Sequence, residues 1–390
     1  MEPGSTLKPF VAAALLARGR VQLDEVFNTY NGVYTLYNTK ITDVHRAPHM
    51  TFADVIKYSS NIGMAQAAGR LTPREEFEAL RDFGFGAATG LPFPSEAAGK
   101  LRDPRSWSLV SQASLARGYE ILVTPVQLAV AYGALANGGE LLQPALVKEI
   151  RDADGKLVYQ HQRQVVRRVI SKPIAAQMRR LLREVVDSGT AMKADLSTFE
   201  VGGKSGTAKR TENGKYVAGD YTATFVGLFP AEDPQLVVLV KLDSPNAAAY
   251  YGGQIAAPVT KVVLEAALAS SDAALDRASL RARMRDRSGA QQPAMQVASA
   301  RPASPPADVE PDGSVPFVLN VGTADTQPSA VLGARPIPDV RGLTPRAAAT
   351  ALHRAGFRVR LMRGAGQAIP APAPGSVAAA GTLVRLHIGS

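Results

Sequence analysis

The chain has 390 residues, 46% hydrophobic and 20% charged, with a formal net charge of +10, which allows two or three domains of roughly 150 residues each. It has no cysteine, which excludes disulfides, thiolate nucleophiles and thiolate metal sites, and it has only five histidines. The positive charge comes from scattered arginines, with no basic run, zinc finger or aromatic–glycine stretch, so no nucleic-acid partner is expected.

The first nine residues, Met1-Glu2-Pro3-Gly4-Ser5-Thr6-Leu7-Lys8-Pro9, set a serine and a lysine three positions apart behind a Pro-Gly break. The apolar run over 10–16 predicts a buried helix, with Pro3-Gly4 at its start and Ser5 in its first turn. Lys8 then lies one turn on, on the same face. An amine there can take the proton of the serine hydroxyl. The helix N-terminus offers N–H groups to an anion forming beside Ser5. Pro9 conflicts with a regular helix, because it removes the bond to the Ser5 carbonyl. Taken alone, such a Ser-x-x-Lys is an ordinary capped helix with a solvated lysine.

A polar, aromatic loop with Asn28, Tyr30, Asn31, Tyr34, Tyr37 and Asn38 leads to a second amphipathic helix over 51–58. Ser59-Ser60-Asn61 follows. A turn or extended backbone there points Ser59 and Asn61 to one side; the alternative is a Ser/Asn cap on the helix opening at Ile62. Residues 70–105 alternate helix with Gly/Pro turns. Thr124-Pro125 opens a long helix that Gly138 ends. A hairpin over 144–159 turns at 152–155. An amphipathic helix spans 171–188, with Ile174, Met178, Leu181, Leu182 and Val185 inward.

Three strands follow, over 199–209, 221–229 and 235–242, adjacent and antiparallel, with a helix over 257–269 to cover them. Lys204-Ser205-Gly206-Thr207 stands in the first strand. By itself it could be a strand ending in a turn. Gly203-Lys204-Ser205 also hints at a phosphate loop, but the glycine that motif needs five positions before Gly203 is Thr198.

In this order, Ser5-x-x-Lys8, Ser59-x-Asn61 and Lys204-Ser205-Gly206 make up the motif set of penicillin-binding proteins and serine β-lactamases. Over residues 1–270 the chain resembles a class B penicillin-binding protein, the septal or sporulation type of peptidoglycan D,D-transpeptidase. The resemblance implies an α+β fold, an antiparallel sheet flanked by helices plus an all-helical part. It makes Ser5 the nucleophile and Lys8 the base, a lysine that neighbouring cations and apolar walls can deprotonate. Ser59 then relays the proton to the leaving amine, and Asn61 holds Lys8 and the substrate amide. Lys204 is the nearby cation, beside which the Ser205 and Thr207 hydroxyls bind the substrate carboxylate, and Gly206 lets the strand approach a ligand. The oxyanion hole is expected from the N–H groups of Ser5 and Thr207. No metal or organic cofactor is implied.

The partners so implied are peptidoglycan stem peptides, β-lactams as covalent inhibitors, a cell-wall glycosyltransferase and division proteins. The expected location is the extracytoplasmic face of the bacterial inner membrane. In the family an anchor, a pedestal and the first strands of the sheet precede the Ser-x-x-Lys helix. Four residues do here, and no run of about 18 apolar residues could span a membrane, so the chain is expected to be an N-terminally truncated piece.

Residues 271–335 are rich in Pro, Ala and Arg and are expected to be a mostly disordered linker. Residues 336–390 form a small domain, with a helix over 345–355 and strands over 357–362 and 383–388. Pro338-Asp339-Val340-Arg341-Gly342-Leu343 and Gly381-Thr382 resemble a PASTA module, although the proline-rich 370–374 departs from its pattern. Two other functions stay open. One is a serine β-lactamase or β-lactam sensor, against which no Glu-x-x-x-Asn stands between the second and third motifs. The other is a non-catalytic wall-binding remnant that acts through the PASTA-like module.

Overall fold

The computed structural model describes residues 1–290, except 92–94, 213–214, 246–248 and 272, and residues 335–388, except 342, 344, 356, 364–368, 372 and 380–381. It divides into two compact units, Met1–Val297 and Ala298–Ser390. The helices in chain order are α1 (Lys8–Ala17), α2 (Phe52–Lys57), α3 (Asn61–Ala68), α4 (Pro73–Asp82), α5 (Ser111–Ala116), α6 (Pro125–Ala136), α7 (Lys172–Asp187), α8 (Gly252–Ala269), α9 (Arg277–Ala290) and α10 (Pro345–Arg354).

The first unit is α+β. Its central sheet has three antiparallel strands, β1 (Gly202–Glu212), β2 (Lys215–Phe229) and β3 (Leu236–Asp243), in the order β3-β2-β1. Lys204 lies opposite Val226, and Gly206 opposite Thr224. α7 packs on β1, and α8 on β2 and β3. α1 carries no polar stripe, and every residue from Lys8 to Leu15 is buried, as expected of a helix surrounded by protein. Phe10 anchors it, 4.9 Å from the Phe83 ring and 5.1 Å from those of Phe85 and Tyr132. α6 starts on a capping box between Thr124 and Gln127, with Pro125 in its first turn. α7 buries Met178, Leu181, Leu182 and Val185.

α8 starts at Gly252, five positions before the expected 257. Its two leading glycines look like a turn, but here they are contact points. A Cβ on Gly252 would stand 2.3 Å from the carbonyl oxygens of Gly206 and Thr224, and one on Gly253 would stand 1.9 Å from Thr190 O. The expected linker also begins later than 271, because α9 occupies part of it. Asp276 Oδ1 accepts the N–H groups of Ala278 and Ser279, both at 3.1 Å, a local cap. Leu280 enters the core, and Arg283 pairs with Asp233 at 2.7 Å. Residues 291–334 of that linker lie outside the described residues.

Glu76 on α4 is fully buried, and neither carboxyl oxygen has a hydrogen-bond partner. The nearby Gln112 amide spends its donors on the carbonyls of Ala68 and Leu71, at 3.0 and 2.7 Å. Burial raises the Glu76 carboxyl well above its ordinary range. Holding it neutral costs nothing below about pH 4.5, but the cost grows as the unfolded state ionises above that pH. Glu76→Met should therefore stabilise the chain by about 1–3 kcal/mol near neutral pH, and by less at pH 4. Thermal melts at the two pH values check this; a loss of stability, or a gain that does not grow with pH, counts against it.

The second unit has its own core of Ile337, Val340, Ala348, Leu352, Phe357, Val384 and Leu386. Its sheet joins β4 (Arg358–Arg363), β5 (Ile369–Ala371) and β6 (Leu383–Ile388) in the order β4-β6-β5, with β4 parallel and β5 antiparallel to β6. α10 packs on β4 and β6. Gly342 and Gly381, on which the PASTA likeness partly rests, lie outside the described residues.

Candidate active site

Ser5 does not sit in α1 itself. It lies in a 3-10 turn, Gly4–Leu7, that runs into α1. In that turn the Lys8 N–H donates to the Ser5 carbonyl, so Pro9 falls in the first turn of α1, where a missing N–H costs no bond. The expected conflict at Pro9 is removed. Neighbours hold the turn rigidly. Gly4 has φ +54 and donates its N–H to Gly118 O at 3.1 Å. The Thr6 hydroxyl donates to Pro3 O at 2.7 Å, and Tyr132 Oη donates to Thr6 O at 2.9 Å. Ser5 is left half-buried.

Lys8 is fully buried. Its Nζ donates to Ser59 O at 2.5 Å, to Asn61 Oδ1 at 2.9 Å and to Ser59 Oγ at 3.2 Å. Ser59 follows α2 at φ +62, a left-handed backbone that a non-glycine residue adopts only under constraint. That turn directs both Ser59 oxygens at one amine. Asn61 opens α3 and is fixed by its Nδ2, which donates to Thr42 O at 2.8 Å. The middle residue serves the helix instead: Ser60 Oγ caps α3 by accepting Gly63 N–H at 2.9 Å. The capping and clustering readings of this tripeptide therefore both hold, on alternate residues.

One residue of this cluster escaped the sequence reading. Asp43 is buried and accepts Ser60 Oγ–H and Asn61 N–H, each at 2.5 Å, and Ile62 N–H at 3.1 Å. It pins the start of α3 and so the position of Asn61. No local motif marks it, because its partners come from 17 to 19 positions along the chain.

From the sheet, Lys204 is also fully buried, and its Nζ reaches Ser205 O at 3.3 Å. Gly206 admits the nucleophile turn: a Cβ there would stand 2.8 Å from Thr6 Cγ2 and 3.0 Å from Pro3 O. The close approach expected at this glycine is thus made first by the chain itself. The pleat sends Ser205 and Thr207 to the opposite face, where Ser205 Oγ lies 2.8 Å from Thr190 Oγ1 and Thr207 Oγ1 accepts Gly252 N–H at 3.0 Å. Among the described residues β1 pairs only with β2. Its free edge can therefore be reached from both faces.

The charges follow from this packing. Burial pushes the Lys8 ammonium well below its ordinary range. Lys204 and Arg117 push it further down, and Asp43 opposes them. Burial brings Lys204 down to about 7. An amine that burial and neighbouring cations drive towards its neutral form can accept a proton from a hydroxyl. The Lys8–Ser59 Oγ contact then reverses, with the serine O–H donating to the amine. Lys8, Ser59 and Asn61 are bonded together one turn from Ser5, and Gly206 of the Lys204–Thr207 stretch packs on the same turn, whereas the Ser205 and Thr207 hydroxyls meet Thr190 and Gly252.

This arrangement has known counterparts. Residues 1–265 match the model of the penicillin binding protein transpeptidase domain. The probable peptidoglycan D,D-transpeptidase PenA of Neisseria flavescens is 35% identical over 269 residues, which cover 69% of this chain and 64% of that protein. The chain therefore spans less than two thirds of that relative's length. Among solved structures, the apo transpeptidase domain of Burkholderia pseudomallei penicillin-binding protein 3 is 35% identical with a TM-score of 0.64, over 71% of this chain and 81% of that one. Mycobacterium tuberculosis penicillin-binding protein 3 complexed with ampicillin is 30% identical with a TM-score of 0.62, over 68% and 61%. By motif, fold and likeness, the chain belongs to the penicillin-binding protein transpeptidase family, among its class B-like members.

Proposed function

We propose that the chain is the catalytic part of a serine D,D-transpeptidase that cross-links peptidoglycan through an acyl-enzyme on Ser5. The observation that carries this reading is the buried Lys8 amine held by Ser59 and Asn61 one turn from Ser5. Ser5 Oγ attacks the carbonyl between the two terminal D-alanines of a stem peptide, and its proton passes to Lys8 Nζ. The N–H groups of Ser5 and Thr207 stabilise the oxyanion. As the intermediate collapses, the C–N bond breaks and the proton returns through Ser59 to the departing D-alanine amine. An amine of a second stem peptide then attacks the ester, and Ser5 recovers its proton. Until that D-alanine departs, its terminal carboxylate lies at the β1 edge, against Lys204 and the Ser205 and Thr207 hydroxyls.

The same reading takes β-lactams as covalent inhibitors at Ser5, and a glycosyltransferase and division proteins as working partners. It places the chain at the extracytoplasmic face of the inner membrane, held by an N-terminal anchor. Among the described residues no helix is long and apolar enough to cross a membrane. The second unit, whose described residues include α10 and a three-stranded sheet, is proposed as a PASTA module joined by the residues that follow α9.

Incubation with a fluorescent penicillin, followed by peptide mapping, tests the chemistry. A lasting adduct on Ser5 that disappears in Ser5→Ala is the expected result. Rapid turnover of the adduct would make the chain a β-lactamase, and no adduct at all a wall-binding remnant.

A further inference from the structure

Arg117 follows α5 immediately and stands beside the nucleophile turn, because the next residue, Gly118, accepts the Gly4 N–H. Its side chain is half-buried. The Nε atom donates to Ala113 O at 2.8 Å, Nη2 reaches Ser114 Oγ at 3.4 Å, and the guanidinium lies 5.8 Å over the Tyr119 ring. A guanidinium has five N–H donors, so these bonds leave most of its fork unused. The carboxylates nearby are committed elsewhere. Glu120 turns to Arg102 and to the Ser111 hydroxyl. Asp43 is taken up by Ser60, Asn61 and Ile62. Among the described residues no carboxylate lies within ion-pair distance of Arg117. The site thus holds Lys8, Lys204 and Arg117, while Asp43 is spent on the start of α3 and Glu120 on Arg102.

Resting on the transpeptidase reading, we propose that Arg117 binds a second carboxylate of the donor peptide, on its acyl side. The terminal carboxylate leaves with the last D-alanine, which carries no other, so a second carboxylate must belong to the part retained on Ser5. Its grip also comes from a separate element: Lys204 belongs to β1, Arg117 to the loop after α5. A planar fork with free donors, packed against a tyrosine face, suits bidentate carboxylate binding. Arg117 is a specificity residue in this reading and takes no part in the chemical step.

Two penicillins that differ by one carboxylate test it: carbenicillin, whose side chain carries one, and benzylpenicillin, which is carbenicillin without it. Second-order acylation constants are measured for the parent, Arg117→Met and Arg117→Lys, with folding checked by circular dichroism. The carbenicillin-to-benzylpenicillin ratio should fall about 10-fold in Arg117→Met, the scale of a lost charge-assisted bond. It should fall less in Arg117→Lys, which keeps the charge and the packed stem but not the fork. Removing a cation near Lys8 would slow both penicillins alike, so the ratio isolates recognition from any effect on the base. A ratio unchanged in both variants overturns the proposal while leaving the transpeptidase reading standing. Acylation by neither penicillin in the parent overturns both.

Discussion

Lys8→Arg is expected to keep the fold and lose acylation of Ser5 by about 10²-fold or more, the usual worth of a positioned base. The loss follows from the proton, not from the charge. Arginine cannot deprotonate in a protein, whereas burial and the charges of Lys204 and Arg117 bring Lys8 towards the neutral amine. The three acceptors around Nζ, two from Ser59 and one from Asn61, suit a cation equally well, so a guanidinium can occupy the place without acting there. Lys204→Arg should be the milder change, because a permanent cation can still grip a carboxylate. It should also move the acylation profile to lower pH, since a full charge beside Lys8 pushes that amine further down. In the parent, activity should rise with pH as Lys8 loses its proton. It should fall above about pH 7 as Lys204, at about 7, loses the charge that holds the substrate. Stopped-flow acylation by a fluorescent penicillin between pH 5 and pH 10 gives all three profiles. If Lys8→Arg acylates as fast as the parent, or if Lys204→Arg is the slower of the two, the roles of base and anion grip are misassigned.

The reacting groups were legible because each sits in a short run with its own local geometry. Ser-x-x-Lys needs only one helical turn to bring its ends together, and the strand at Lys204 announces itself by flanking glycines and alternation. What holds those runs in place was not legible. Asp43 braces the Ser59–Asn61 turn from 17 to 19 positions away, and Tyr132 braces Thr6 from 126. Such partners are fixed by tertiary packing and leave no periodic trace. Small residues hid contacts in a consistent way. Gly252 and Gly253 lie ahead of the expected helix start at 257, and each lets one backbone lie against another. α9 was hidden by its many arginines, which give helix propensity but no apolar stripe; Leu280 ties it to the core.

Gly118 takes that lesson furthest, for it carries no chemistry and yet should be among the costliest positions in the chain to change. Its φ is +83, and a Cβ there would stand 1.9 Å from Gly4 O and 2.5 Å from Gly4 C. Real side chains do not come so near, and the atoms in the way are backbone, so nothing flexible can yield. Gly118→Ala must push the Gly4 turn away, break the Gly4 N–H bond to Gly118 O and shift Ser5 relative to Lys8. A misplacement on the order of 1 Å costs about 10²-fold in rate, and stability should fall by about 3 kcal/mol or more. Gly19→Ala is the control. Gly19 also has a left-handed φ, +62, but a Cβ on it meets nothing within 4 Å. It should bear only the backbone cost of about 1–2 kcal/mol and acylate as the parent does. The two variants share the conformational penalty, so the difference between them measures the contact. Penicillin acylation rates and urea midpoints for the pair decide the matter: equal behaviour would mean that the turn bearing Ser5 is not held by Gly118, and that the nucleophile is positioned by Tyr132, Thr6 and the β1 strand alone.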